Sequence, residues 1–238
     1  IFPFGSVIMK ILASLLFVVT VFANVGCNRM VSVSVGKGPS IAGSGNVVQE
    51  ERRVDPFSKI EFRGAGTLAI RQGEKQSVSI KTDDNLLTII DTVVTDGKLT
   101  IKPNNDLSNF TLSVEVVVTN IDELKIPGGG TVNLEAIEAD DLTVTISGAA
   151  TIVGNGKVKN LTVKSSGASK FNTKDLVAQS VVINVSGAST STVHATEKFD
   201  AKVSGVGKIT CYGNPKIVDK SVKGVGTVTV MDELAVIR

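Results

Sequence analysis

The sequence predicts an all-β protein, a parallel β-helix (β-solenoid, right-handed) with rungs of about 19–20 residues. Three observations carry that prediction. A short Gly-rich corner recurs at near-constant spacing, apolar residues fall in phase around it, and no segment after the N-terminus pairs helical periodicity with caps. Abundant Val, Thr, Ser, Ile and Gly beside only six prolines suits strands joined by tight turns.

The corner is a small or polar residue, then Gly, then a small residue, then Gly, Ala or Ser. It occurs as Pro127-Gly128-Gly129-Gly130, Ser147-Gly148-Ala149-Ala150, Ser166-Gly167-Ala168-Ser169, Ser186-Gly187-Ala188-Ser189, Ser204-Gly205-Val206-Gly207 and Lys223-Gly224-Val225-Gly226. Between the first glycines the spacings are 20, 19, 20, 18 and 19. Such a period marks a stacked array, because one unit cannot bury its own apolar face. Two reasons are expected for the glycines: a bend that other residues reach only at a cost, and corners stacked too closely for side chains. Ser147, Ser166, Ser186 and Ser204 share one slot, which suggests a hydroxyl ladder.

The flanks repeat in step. Leu142, Val144 and Ile146 precede one corner; Leu161, Val163 and Ser165 the next; then Val181, Ile183 and Val185, and Phe199, Ala201 and Val203. After the corners come Val132 and Leu134, Ile209 and Cys211, Val228 and Val230. A spacing of two places each set on one face of a strand. Each repeat is therefore two short strands around a corner, hydrogen-bonded to its neighbours at about 4.8 Å per rung.

The first half is less regular. Arg63-Gly64-Ala65-Gly66-Thr67 is another corner, with Ile60 and Phe62 before it and Leu68 and Ile70 after it. The 64 residues from Gly64 to Gly128 leave room for about three rungs, with strands near Val78–Lys81, Leu99–Lys102 and Thr111–Val118. They are expected to be irregular rungs of the same column; the alternative is a small sheet capping it. Some cap is required, since an open rung exposes unpaired strand edges.

The N-terminus reads as a targeting segment. Met9-Lys10 opens a basic region, and residues 1–8 precede this expected true start. Ile11 to Phe22 is an apolar run of signal-peptide length, short for a membrane span. Ala23-Asn24-Val25-Gly26-Cys27 resembles the lipobox of bacterial lipoproteins, in which the Cys is lipidated; Asn24 stands where that pattern usually has Leu. The expected organisation is a signal peptide over 1–26, a lipidated Cys27 with a flexible Gly-rich tether over 27–45, and the solenoid over 46–238. The alternatives are an ordinary secretory signal and an uncleaved anchor. Cys211 is then a lone thiol, expected to be a small buried apolar residue.

The residues offer little chemistry. A net charge of +2 gives no reason to expect nucleic acid. His194 is the only histidine; it sits seven residues after its corner Gly and Cys211 six after its own, so opposite parity keeps them apart and leaves His194 solvated. Asp83-Asp84 and Asp140-Asp141 are the best acidic pairs, but strand neighbours point oppositely, so no metal or cofactor is assigned. The outward slot seven after the corner reads Glu135, Asn155, Lys174, His194 and Tyr212. It is polar, with no acidic column of the kind a polysaccharide-cleaving β-helix needs. It is the expected ligand face, its competing reading plain solvated surface.

From Gly43 to about Met231 the chain resembles the head GIN domain of auto-transporter adhesins, the DUF2807 family. The resemblance rests on Gly43-Ser44-Gly45-Asn46-Val47-Val48, Phe57-Ser58-Lys59-Ile60, Gly64-Ala65-Gly66-Thr67, Ile70-Arg71-Gln72-Gly73, Asp84-Asn85-Leu86-Leu87 and the Ser-Gly-Ala corners. It implies a parallel β-helix on a lipid-anchored or secreted envelope protein of Gram-negative bacteria. The expected function is a non-catalytic outer-membrane lipoprotein, an adhesin or interaction module that shows a rigid polar face to a glycan or an envelope protein. The alternatives are a structural envelope protein without a discrete ligand and a glycan-active β-helix enzyme.

Overall fold

A computed structural model describes residues 40–231, an all-β solenoid of about five turns. Its strands are β1 (Ile41–Ala42), β2 (Val47–Arg52), β3 (Lys59–Phe62), β4 (Thr67–Gln72), β5 (Ser77–Asp83), β6 (Ile90–Thr95), β7 (Lys98–Pro103), β8 (Leu107–Ser108), β9 (Leu112–Val118), β10 (Glu123–Ile126), β11 (Gly130–Ile146), β12 (Ala150–Ser165), β13 (Lys170–Val185), β14 (Ala188–Val203), β15 (Val206–Tyr212), β16 (Ile217–Val222) and β17 (Thr227–Val230). A 3₁₀ turn over Asp84–Ile89 is the one helical element among the described residues. No helix among them is long and apolar enough to cross a membrane, which says nothing of β-barrels.

In the second half the repeat becomes the column directly. β11, β12, β13 and β14 pair in parallel, one on the next, and β15, β16 and β17 continue the stack. Apolar residues two apart turn inward in every turn: Leu142, Val144 and Ile146 lie over Leu161, Val163 and Ser165, and these over Val181, Ile183 and Val185. All nine are buried, in one continuous core. Aligned apolar columns of this kind bury area that a single turn would leave wet.

The first half differs from the expected succession of rungs. β7 and β9 do lie parallel in the column, but out of chain order. β3 pairs in parallel with both β10 and β7, and β4 with both β11 and β9, so residues 59–72 are slotted between 98–118 and 123–135. The strand expected near Val78–Lys81 is β5, and it runs antiparallel on β9. Only residues 73–76 connect β4 to β5, too short a link for the crossover that a parallel strand needs. β6 returns onto β7 through Asp96-Gly97, both at positive φ, a hairpin signal outside the repeat pattern. β2 closes the edge antiparallel to β5. The two sequence-based alternatives are thus both realised, as two parallel rungs finished by an antiparallel cap.

A buried carboxylate ties this end together. Glu61 on β3 pairs with Arg63 and, at 3.1 Å, with Lys98 on β7. Burial alone would raise its pKa, but the bonds and charges of Lys98 and Arg63 outweigh that and hold it below the ordinary carboxylate value.

Strand β1 begins inside the stretch expected to be tether. Ile41 and Ala42 pair with Leu107 and Ser108 of β8, and Asp83 and Asp84 hold the residues that follow. The Asp83 carboxylate accepts the Gly45 N–H at 2.7 Å and the Thr111 N–H at 2.9 Å. Asp84 accepts the Ser44 hydroxyl at 2.6 Å and the Asn46 amide at 2.8 Å. This acidic pair is a clamp for the entering chain, its oxygens already engaged by protein donors. The Thr111 and Gly45 amides hold the Asp83 pKa below its ordinary value. A lowered folded pKa stabilises above the unfolded pKa of about 3.9, and that stabilisation is lost as pH falls through the folded value. The urea midpoint is therefore expected to drop below about pH 4, and Asp83→Asn to flatten that acid limb. An unchanged acid limb in the variant would count against the clamp. Cys27, the signal peptide over 1–26 and the tether over 27–39 lie outside the described residues.

Candidate functional site

The outward slot maps to a second corner, opposite in each turn to the glycine corner. There the register between turns shifts, between Leu134 and Ile137, Val153 and Asn155, and Asn172 and Val177. The backbone takes positive φ at Ala136, Gly156, Gly213 and Asn214. These bends turn successive residues out of the pleat and decide what each side chain reaches.

Lys174, His194 and Tyr212, from three successive turns, come together. The Lys174 ammonium lies 4.4 Å from the centroid of the Tyr212 ring. That geometry is a cation–π contact worth about 0.5–1 kcal/mol at an exposed site. His194 stands in register with Tyr212, and its Nδ1 lies 3.1 Å from the Lys174 carbonyl oxygen, so it donates in the tautomer protonated there. His194 is half-buried rather than solvated as expected: its ring packs over Gly213, where an added Cβ would strike it.

Asn155 and Glu135 do not join this cluster. Asn155 Oδ1 accepts the N–H of Ala136 at 2.8 Å, bracing a non-glycine residue at φ 51°. Glu135 is exposed and stands in register with Arg71 of β4. The slot is one line in the sequence and a cluster, a brace and an exposed carboxylate in three dimensions. The bracing role of Asn155 has a weak sequence signal, since it depends on the positive φ of a residue in the neighbouring turn.

Cys211 lies in the core, fully buried, in register with Val193. Burial pushes its pKa up to about 11, so the neutral thiol dominates near pH 7. Its inward position and the outward one of His194 keep the two apart, as parity requires. Ser186 and Ser204 turn their hydroxyls to the carbonyls of Ser165 and Val185 at 3.4 Å, not to one another, so the expected hydroxyl ladder is replaced by hydroxyl-to-backbone contacts. Among the described residues no group of three or more His, Cys, Asp or Glu side chains converges as a metal site would require.

Comparison with known proteins agrees with this architecture. The family model described as "Putative auto-transporter adhesin, head GIN domain" matches residues 56–215, about two thirds of the chain. A crystal structure described as a putative adhesin from Bacteroides fragilis superposes with a TM-score of 0.63 at 23% identity, covering 81% of this chain and 100% of that one. Two from Parabacteroides distasonis each cover 81% of this chain and 100% of theirs at 20% identity. One is described as a putative adhesin, with a TM-score of 0.49, and the other as a putative lipid binding protein, with a TM-score of 0.47. No curated protein matches the chain.

Proposed function

The chain belongs to the DUF2807 family of auto-transporter adhesin head GIN domains, and from that premise we propose a non-catalytic, lipid-anchored module of the cell envelope that presents a rigid β-solenoid face to a glycan or protein partner. The observation that carries this reading is the convergence of Lys174, His194 and Tyr212 from three successive turns. A charge, an imidazole and a phenol meet there on a backbone held by the inter-turn hydrogen bonds of the column, so little ordering entropy opposes binding. Nothing at the cluster resembles an acid pair flanking a scissile bond. The domain plan that goes with it is a signal peptide over 1–26, an acylated Cys27 and a short tether. The anchoring half of the proposal predicts acyl labelling of the native precursor that is abolished by Cys27→Ser, which should also release the protein from membranes. Labelling that survives the substitution would refute it.

Lys174 lies over the Tyr212 ring, so a sugar can stack on the covered face only by displacing the ammonium. For that reason the expected contacts are hydrogen bonds and charge along the corner. The full chain, applied to a glycan array and to envelope polysaccharides, is expected to be retained without releasing reducing ends. The double variant Lys174→Ala/Tyr212→Ala should lose that retention by about tenfold or more, as expected when charge-assisted hydrogen bonds are removed. Release of reducing ends would overturn the non-catalytic reading. One observation favours a second reading, a structural envelope protein without a discrete ligand: Asn155 and His194 already use hydrogen-bonding groups within the chain. Absence of retention on every glycan and every envelope protein would select it.

A further inference from the structure

A second polar surface runs along the other side of the column, beside the glycine corners. The outward positions Thr145, Lys164, Asn184, Lys202 and Ser221 are consecutive register partners from β11 through β16. One step away, Ser166, Ser186, Ser204 and Lys223 share the slot before the corner glycines. Together they line a groove of about 530 Å³ that spans successive turns. None of these residues belongs to the Lys174 corner.

The charge in the groove has one sign. Three ammonium groups line it, from Lys164, Lys202 and Lys223, and no carboxylate does. Lys164 and Lys223 form no ion pair among the described residues, and Lys202 reaches Asp200 only at 3.8 Å. Asp200 and its register partner Asp219 sit one outward position to the side, so they soften the field at one end of the groove without closing it. Ser186 and Ser204 direct their hydroxyl protons at the carbonyls of Ser165 and Val185. Their remaining lone pairs are therefore acceptors for a ligand's hydroxyl groups.

The spacing selects among anions. Lys164 and Lys202 lie in one column with Asn184 between them, so their backbones are two rungs apart, about 9.6 Å at 4.8 Å per rung. That pitch keeps the two ammonium groups apart when both side chains stand straight out, and a single phosphate or carboxylate would have to draw the two like charges together. It suits a linear chain laid along the column with an acidic group on every second unit and a neutral, hydroxyl-rich unit between, which Asn184 can meet as donor and acceptor. We propose that the groove lined by Lys164, Asn184, Lys202, Lys223 and the corner serines binds an acidic polysaccharide in which charged and neutral sugars alternate.

The test titrates the full chain with four probes at low and high salt: a hyaluronan octasaccharide (acidic at alternate sugars), a polygalacturonate oligomer (acidic at every sugar), neutral dextran and polyphosphate. Hyaluronan is expected to bind best, and more weakly as salt rises. Lys164→Gln/Lys202→Gln should weaken it by about tenfold or more, and Lys75→Gln/Lys81→Gln, which removes two exposed lysines far along the chain from the groove, should leave it unchanged. Asn184→Lys places a charge on every rung and should shift the preference to polygalacturonate, a gain that a misfolded variant would not show. Four results would overturn the proposal: hyaluronan not retained, dextran bound equally, polyphosphate bound in place of hyaluronan, or Lys164→Gln/Lys202→Gln without effect. Because the groove and the Lys174 corner share no residue, either can fail while the other stands.

Discussion

Gly167→Val is expected to destabilise the column by about 3 kcal/mol or more, at the upper end of what single substitutions do. A Cβ at Gly167 would collide with the carbonyl oxygen of Gly148 in the turn beneath it. The obstruction repeats along the column: a Cβ at Gly148 meets the Gly128 oxygen, one at Gly187 meets the Gly167 oxygen, and one at Gly205 lies 2.5 Å from the Gly187 oxygen. Each corner's carbonyl is the floor of the next corner, and backbone cannot swing aside as a flexible side chain can. The reason is space alone, because Gly148, Gly167, Gly187 and Gly205 lie outside the positive-φ region that favours glycine. Of the two reasons expected for the corner glycines, close stacking is the one that applies at these four. The next residue supplies the control. Ala168 is exposed and shares its slot with the exposed Val206 and Val225, so Ala168→Val should shift stability by no more than about 0.5 kcal/mol. Urea unfolding of the two variants decides the matter. A G167V protein as stable as its parent would mean that the corners do not stack.

Phe199→Ala should cost about 3–5 kcal/mol. Phe199 is fully buried, in register between Val181 and Val218. Its neighbour two residues on is small: Ala201 takes the inward position where the turn below has Ile183. The phenyl ring fills volume that larger aliphatics fill elsewhere, so truncating it empties the layer, and a turn hydrogen-bonded on both sides cannot collapse to close the gap. Adding Ala201→Leu to Phe199→Ala returns volume to the same layer and should recover part of the loss. A thermal melt of the single variant within a degree of the parent would contradict this packing.

Much of the column is legible in the residue order alone, because a solenoid repeats the same local problem. The corner spacing, the inward parity of Leu142, Val144 and Val203, and the burial of Cys211 all follow from period-two strands stacked in register. The antiparallel cap does not follow, because its strands obey no period. β9 is inserted between β4 and β5 by pairing across the chain, and the only local clues are the short link over 73–76 and the Asp96-Gly97 turn. The Asp83-Asp84 pair is an acidic pair without an assigned role in the sequence and is a clamp on residues 44–46 and 111 in the fold.

Spacing along the chain is enough to specify the class of fold, the core positions of the regular turns and the residues that share each outward slot there. Which members of a slot meet is settled only by the way the turns pack. Lys174 reaches Tyr212 across the turn of His194, while Asn155 turns to brace Ala136, because bulges at the second corner shift the register by different amounts in different turns. The same packing sets Lys164, Asn184 and Lys202 in one line beside the corner serines. That alignment depends on how successive turns are laid over one another, and hydrogen bonds between turns carry that information where one-dimensional spacing does not.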